Sequence, residues 1–316
     1  MVVVVFCLQR SNMGYRILNS ANIIKKFLHF HPKYNKFVTV NNLGNYGRLG
    51  NQLFQYAAVR SYSLKHDVPL LLPKPTEHRL GNFQISCQYV NRNTLQVVNR
   101  VQFEEKQFHF DPDFFQYYNR KDFTGYFQTE KYFVDIRDTL LEEFSLRDTN
   151  KTDYCLRYIE NIRSENPGKS IVALHNRRGD NIPSKEKYSA KISGVFHPDK
   201  EIYHPLLSVD YFHKAKSFFN DSAFLVFSDN EKDIQWCKEN INGPHHYYSE
   251  RHDDLTDFTL MRYCDHNIIS NSSFSWWAAW LNENPDQVVI APQKWFGDYY
   301  KEWDIRDIYL GNWTII

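Results

Sequence analysis

Ile171-Val172-Ala173-Leu174-His175-Asn176-Arg177-Arg178-Gly179-Asp180 runs from a short apolar strand straight into two adjacent arginines. A strand that empties into fixed positive charge marks the carboxyl edge of a sheet, where open α/β folds bind ligands. An arginine fork matches phosphate oxygens two at a time, which a lysine ammonium cannot do. The stretch therefore reads as a site for a small molecule carrying a diphosphate, with Arg177 or Arg178 on the pyrophosphate and His175 near a base or ribose. A surface arginine pair bridged to Asp180 is the plainer alternative and would contribute little.

Downstream, the apolar runs Phe224–Phe227, Ile268–Ile269 and Val288–Ala291 alternate with helical patterns near Tyr211–Phe219, Asp233–Glu239, Asp254–Tyr263 and Trp276–Leu281. Short β-branched or aromatic runs separated by helices predict a parallel, doubly wound sheet. Upstream, Phe37–Val40 reads as a strand, followed by a loop with Gly44, Gly47 and Gly50. A helix from Asn51 to His66 is expected to bury Leu53, Phe54, Tyr56, Ala57 and Leu64. Val68–Leu72 forms the next strand, weakened by Pro69. Residues 74–165 are less regular, with a helical stretch around Asp135–Phe144. Arg163–Lys169, which contains Asn166-Pro167-Gly168, reads as a polar linker. The expected organisation is a variable lead-in over 1–36 and two α/β units over 37–165 and 166–316, facing each other across a cleft.

The chain has 316 residues and a formal net charge of +1, so no basic face is available to hold a nucleic acid by bulk electrostatics. Its 24 Phe, 21 Tyr and 7 Trp serve mainly as core, although such residues also line carbohydrate and base-stacking surfaces. Cys7, Cys87, Cys155, Cys237 and Cys264 are scattered and show neither disulfide nor metal-ligand spacing, which suits a reducing compartment. Met1–Leu8 is apolar but far short of the ~20 residues that span a bilayer, and no cleavage site follows it. A soluble chain with no transmembrane segment is expected. Of the N-x-S/T triplets at Asn150, Asn220, Asn271 and Asn312, that at Asn271 falls in a segment expected to be buried.

Four further motifs carry possible chemistry. Gly47-Arg48-Leu49-Gly50-Asn51-Gln52 opens a helix, where glycines admit a ligand to the backbone and the first amides favour anions. It matches neither dinucleotide nor Walker A spacing, and a tight turn accounts for it equally well. Ser270-Asn271-Ser272-Ser273-Phe274-Ser275-Trp276-Trp277 places hydroxyls at a second strand-to-helix junction, for capping or for phosphate. Asp257 opens another helix, as a cap or as an acceptor for guanine N–H groups. Asp111-Pro112-Asp113 is formally a metal pattern, but a proline between two acids makes a turn more often.

Taken together, these blocks resemble the α1,2-fucosyltransferase family, glycosyltransferase family 11-like enzymes that use GDP-fucose. The resemblance runs through Gly47–Ala58, Gly125–Phe133, His175–Asp180, Phe227–Asn230 and Cys264–Trp277, in order. It implies a GT-B-like fold of two Rossmann-like domains. The N-terminal domain would face the acceptor and the C-terminal domain would bind GDP-fucose, with no metal and no cofactor. By the same resemblance Arg177 binds the diphosphate and His175 lies by the nucleoside. Asp257 contacts guanine, Ser273 with its neighbours Ser272 and Phe274 contacts phosphate, and Arg48 and Asn51 face the sugar diphosphate across the cleft. Asn181 departs from the family's tyrosine, and Asn181–Leu207 matches no pattern, so this segment is expected to shape acceptor choice. Asp180 and Glu186 are candidates for the catalytic base by position alone.

The implied reaction moves L-fucose with inversion to the 2-hydroxyl of a β-galactoside glycan. The partners are then GDP-fucose and that acceptor. The expected location is cytoplasmic, or the Golgi lumen if an anchor is missing. The competing readings are another linkage or GDP-sugar, and a non-catalytic glycan-binding module.

Overall fold

A computed structural model describes residues 35–316 apart from 46, 97–99, 179–189, 193–194, 198–202 and 250–252. All but the end of the expected lead-in, together with Asp180 and Glu186, therefore lies outside the described residues.

The first half of the chain gives β1 (Phe37–Thr39), α1 (Leu49–His66), β2 (Leu70–Pro73), β3 (Gln88–Val90), α2 (Arg92–Gln96), β4 (Val101–Glu104), β5 (Arg120–Thr124), α3 (Arg137–Glu143) and α4 (Thr149–Glu165). The second half gives β6 (Ile171–Asn176), a pair β7 (Ala190–Ile192) and β8 (Val195–His197), then α5 (Val209–Lys216), β9 (Ala223–Ser228), α6 (Glu231–Asn240) and β10 (His246–Tyr248). It continues with α7 (Asp254–Tyr263), β11 (His266–Ile268), α8 (Ser273–Trp280), β12 (Val289–Ala291) and β13 (Thr314–Ile315). Among the described residues these strands form two sheets, ordered β3-β2-β1-β5-β4 and β10-β9-β6-β11-β12-β13, beside the small β7–β8 pair. Every pairing within the two large sheets is parallel, as the alternation of strands and helices predicts.

The largest of three apolar clusters among the described residues runs through both sheets and the helices between them. Its seam is the contact of α1 with α8. Phe54 packs at 4.5 Å from the Trp276 ring centre and 4.9 Å from that of Trp277, and all three side chains are buried. α1 is buried on nearly every face, which is why its apolar pattern is broad rather than a stripe. It stops at Asp67, which adopts a left-handed conformation with φ of 49°. Leu64, expected inside, is 43% exposed because it lies in the last turn, beyond the reach of the sheet.

The expected linker is shorter than its polarity suggested. α4 continues to Glu165, and Arg163 pairs with Asp265 at 2.9 Å, so the break falls at the Asn166-Pro167-Gly168 turn. The D-x-D pattern is likewise a turn, with the Asp111 carboxylate accepting from the Asp113 amide at 2.9 Å. Among the described residues, no helix is long and apolar enough to cross a membrane.

Candidate functional site

The order of the second sheet reverses between β6, its first strand, and β11, its fourth. The first sheet reverses between β1 and β5. Loops leaving the carboxyl ends of strands at such a reversal diverge and leave a crevice between them. Here both crevices open into a single cleft of about 750 Å³. Gly47–Asn51 reach it after β1, and Tyr126 and Gln128 after β5. His175 reaches it from the end of β6 and Arg177 from just after it, Asp229 after β9 and Asn271–Phe274 after β11.

Two helix starts meet at its floor. A Cβ on Gly50, in the first turn of α1, would sit 2.5 Å from the Ser273 carbonyl carbon and 2.6 Å from the Phe274 nitrogen, at the start of α8. Only glycine lets the two backbones approach this closely. Gly47, at φ of +76°, makes the preceding turn, and Gln52 fastens it by donating to the Gly47 carbonyl at 3.3 Å. Ser272 caps α8, its Oγ accepting from the Phe274 amide at 3.3 Å. The first amides of a helix have no partner within it and carry the positive end of its dipole. Two converging starts therefore make one anion-binding floor. Across it, Gln128 donates to Asn51 Oδ1 at 2.9 Å. The Glu105 carboxylate shapes the turn before Gln128 by accepting the Tyr126 and Phe127 amides at 2.6 and 2.9 Å, while burial pushes its pKa up to about 7.

The two arginines separate. Arg177 lines the cleft and is ion-paired to Asp229, which also accepts the Arg178 amide at 2.8 Å. The Arg178 guanidinium instead lies 3.6 Å from the ring centre of Trp236 on α6 and 3.5 Å from the Asp233 carboxylate, outside the cleft lining. Both lie just past the end of β6, and it is their different partners, Asp229 for Arg177 and Asp233 with Trp236 for Arg178, that send them apart. His175 is buried, with Nδ1 at 2.9 Å from Ser270 Oγ. Burial and then the Arg177 charge push its pKa down to about 3, so it is a neutral ring beside a cation.

Asp257 also reaches the cleft and accepts a hydrogen bond from Ser249 Oγ. It does not cap α7, because Asp253 does so by accepting from the Thr256 amide at 2.8 Å. Arg48, Asn51, His175, Arg177, Asp257, Ser272, Ser273 and Phe274 thus share one cleft, whereas Arg178 faces away. Trp276 and Trp277 are buried, as is Asn271, whose amide donates to the Pro205 and Trp295 carbonyls at 2.9 and 3.2 Å. Reading the sequence did not single out Asp229, His204, Tyr126, Gln128 or Tyr300 as site residues, yet all line the cleft. Asp229 had a signal, an acid one residue past an apolar strand, and Tyr126 and Gln128 lie in the Gly125–Phe133 block of the resemblance, but His204 and Tyr300 had none. Among the described residues, no group of three His, Cys, Asp or Glu side chains is placed to hold a metal.

A family model for glycosyl transferase family 11 matches residues 1–316. The O-antigen biosynthesis glycosyltransferase WbnK of Escherichia coli is 28% identical, with the match covering 79% of this chain and 93% of that protein. An alpha-1,2-colitosyltransferase of the same organism is 30% identical over 79% and 90% of the two chains. Galactoside alpha-(1,2)-fucosyltransferase 2 of Gorilla gorilla gorilla is 26% identical over 80% and 71%. In shape, the chain resembles a mutant of Arabidopsis thaliana FUT1 in complex with GDP. The TM-score is 0.50 at 12% identity, covering 86% and 73% of the two chains, which is a likeness of fold.

Proposed function

The chain belongs to glycosyltransferase family 11, and from that premise we propose that it transfers L-fucose from GDP-β-L-fucose to the 2-hydroxyl of a β-galactoside, with inversion. The observation that carries this reading is the position of Arg177, an ion-paired guanidinium beside a floor of two helix starts. In this reading the two sheets are the halves of a GT-B-like enzyme, with the donor on the second and the acceptor on the first.

Displacement at the anomeric carbon passes through an oxocarbenium-like transition state, and charge builds on the departing phosphate. Donors fixed where that charge appears stabilise the transition state more than the ground state. Arg177 is fixed by Asp229 and supplies two such donors. The amides at the starts of α1 and α8 supply others, so the chemistry needs no metal. Asp257 accepts from the guanine edge, and neutral His175 lies beside the nucleoside without adding charge.

The test is GDP release from GDP-fucose with and without β-galactosides, in EDTA, followed by linkage analysis of the product. Acceptor-dependent release and an α1,2 product are expected. Failure to bind GDP-fucose would end the reading. The Escherichia coli colitosyltransferase relative favours one second reading, a GDP-colitose donor. Competition between the two GDP-sugars separates them.

A further inference from the structure

When the acceptor hydroxyl attacks, its proton needs a destination, and the segment before α5 brings a suitable group to the cleft. His204 lines the cleft, and its ring is hydrogen-bonded to the Trp295 carbonyl. A carbonyl only accepts, so the bonded nitrogen carries the ring hydrogen and the other nitrogen of a neutral imidazole offers a lone pair. That nitrogen, Nδ1, is buried and has no hydrogen-bond partner. Folded proteins rarely leave such an atom unmet. Among the described residues that line the cleft, His175 is committed to Ser270, Asp229 to Arg177, Asp257 to Ser249 and Asp254 to Arg79, and Glu231 lies exposed in the first turn of α6.

The ring is held in place by its neighbours. Gly297 donates to the Tyr203 carbonyl at 2.8 Å, and Asn271 grips both the Pro205 carbonyl and the Trp295 carbonyl that anchors the ring. Pro205 confines His204 to extended backbone. One side of the ring meets Phe296 at 5.4 Å between centres, and Phe296 packs at 5.1 Å on Tyr300 of the cleft wall. The charge of Arg177, itself paired with Asp229, also acts on the ring. With burial as the larger cause, that charge pushes its pKa down to about 4 and keeps it unprotonated. His204 therefore shares one cleft with the Tyr300 wall, suited to the apolar face of a sugar, and with the arginine assigned to the phosphate. The attacking oxygen and the leaving group must meet there.

We infer that His204 is the catalytic base, accepting the proton of the acceptor hydroxyl on Nδ1. This inference rests on the transferase reading above. The acceptor O–H gives its proton to Nδ1, and an oxygen electron pair forms the new bond to the anomeric carbon. The bond from that carbon to the phosphate oxygen breaks, and its electron pair stays on GDP. The imidazolium so formed faces the Arg177 cation and passes its proton to water.

The test compares wild type with His204→Ala and His204→Gln. GDP binding is measured by calorimetry and acceptor-dependent GDP release with and without added imidazole. Both variants are expected to bind GDP as the wild type does and to lose kcat by about 10²–10⁴-fold. Imidazole should restore part of the turnover of the alanine variant, in proportion to its neutral fraction. Turnover near wild type in either variant overturns the inference. So does a loss that imidazole leaves untouched or that comes with weaker GDP binding, since His204 would then be structural. If the wild type releases no GDP with any acceptor, the transferase reading fails first and this proton step falls with it.

Discussion

In the second sheet β6 reads Ile171-Val172-Ala173-Leu174-His175-Asn176, buried throughout and apolar until its last two residues. In the first sheet β5, which lies beside the opening strand as β11 lies beside β6, reads Arg120-Lys121-Asp122-Phe123-Thr124. Lys121 is 1% exposed and Asp122 is 4% exposed. The Lys121 ammonium donates to the Phe114 and Gln116 carbonyls at 2.6 and 3.1 Å and lies 4.9 Å from the ring centres of Tyr62, Phe103 and Phe123. Asp122 pairs with Arg100 at 2.8 Å and accepts the Asn41 amide at 3.0 Å. Asn41 begins the loop that becomes the glycine turn of the cleft. The two sheets thus spend polarity in different places. The second keeps it for strand ends that face the ligand, and the first buries it to fasten the loops that lead there.

This contrast is broken most severely at the strand end. Arg177→Lys keeps the charge and loses the fork, so turnover should fall by about 10²–10³ while the unfolding temperature holds. Near-normal turnover would mean that a point charge suffices and that the orientation imposed by Asp229 is idle. A smaller effect is expected where the halves touch. Gly50→Ala would gain helix propensity worth about 1 kcal/mol. Against that, the new methyl meets the backbone of Ser273 and Phe274, which cannot swing aside as a side chain can. Overpacking of this kind costs about 1–3 kcal/mol, so the net sign should be destabilising in chemical denaturation. GDP binding should weaken as well, because the two helix starts are pushed apart.

The same contrast explains what could be read from the sequence. β6, β9 and β12 were legible because buried parallel strands are short apolar runs, and α1 because its apolar residues recur over four turns. β5 was invisible because Arg120-Lys121-Asp122 looks like a surface. Its burial depends on the nearby Phe114 and Gln116 carbonyls turning back over it and on the distant rings of Tyr62 and Phe103, neither of which the apolar pattern of the strand itself reveals. β3, β4 and β10 are three- or four-residue strands toward the sheet edges, half-exposed and too short for periodicity. At the site, residues next to strand ends and helix starts were found, because those junctions have sequence signatures. His204 and Tyr300 arrive from irregular segments, and only the tertiary path brings them to the cleft. Arg177 and Arg178 read alike in the sequence, and only the distant partners Asp233 and Trp236 distinguish Arg178.

The smallest expected effect concerns Lys121 and depends on pH. In the unfolded chain its ammonium keeps its proton up to the ordinary value of 10.5, but burial in the folded protein pushes its pKa down to about 8. Below pH 8 both states are protonated, and the contribution of this residue is flat at its least favourable. From there towards 10.5 the unfolded chain holds a proton that the folded protein has released, so stability from Lys121 rises with pH. Lys121→Met keeps the length of the side chain and removes the titration. Denaturant midpoints of wild type and variant, measured from about pH 6 to about pH 10, should show the wild type gaining on the variant only in the upper part of the range. A constant difference would mean that the carbonyls of Phe114 and Gln116 and the surrounding rings replace water around the ammonium without loss. Burying a charge inside the first sheet would then cost no more than displaying one at the end of the second.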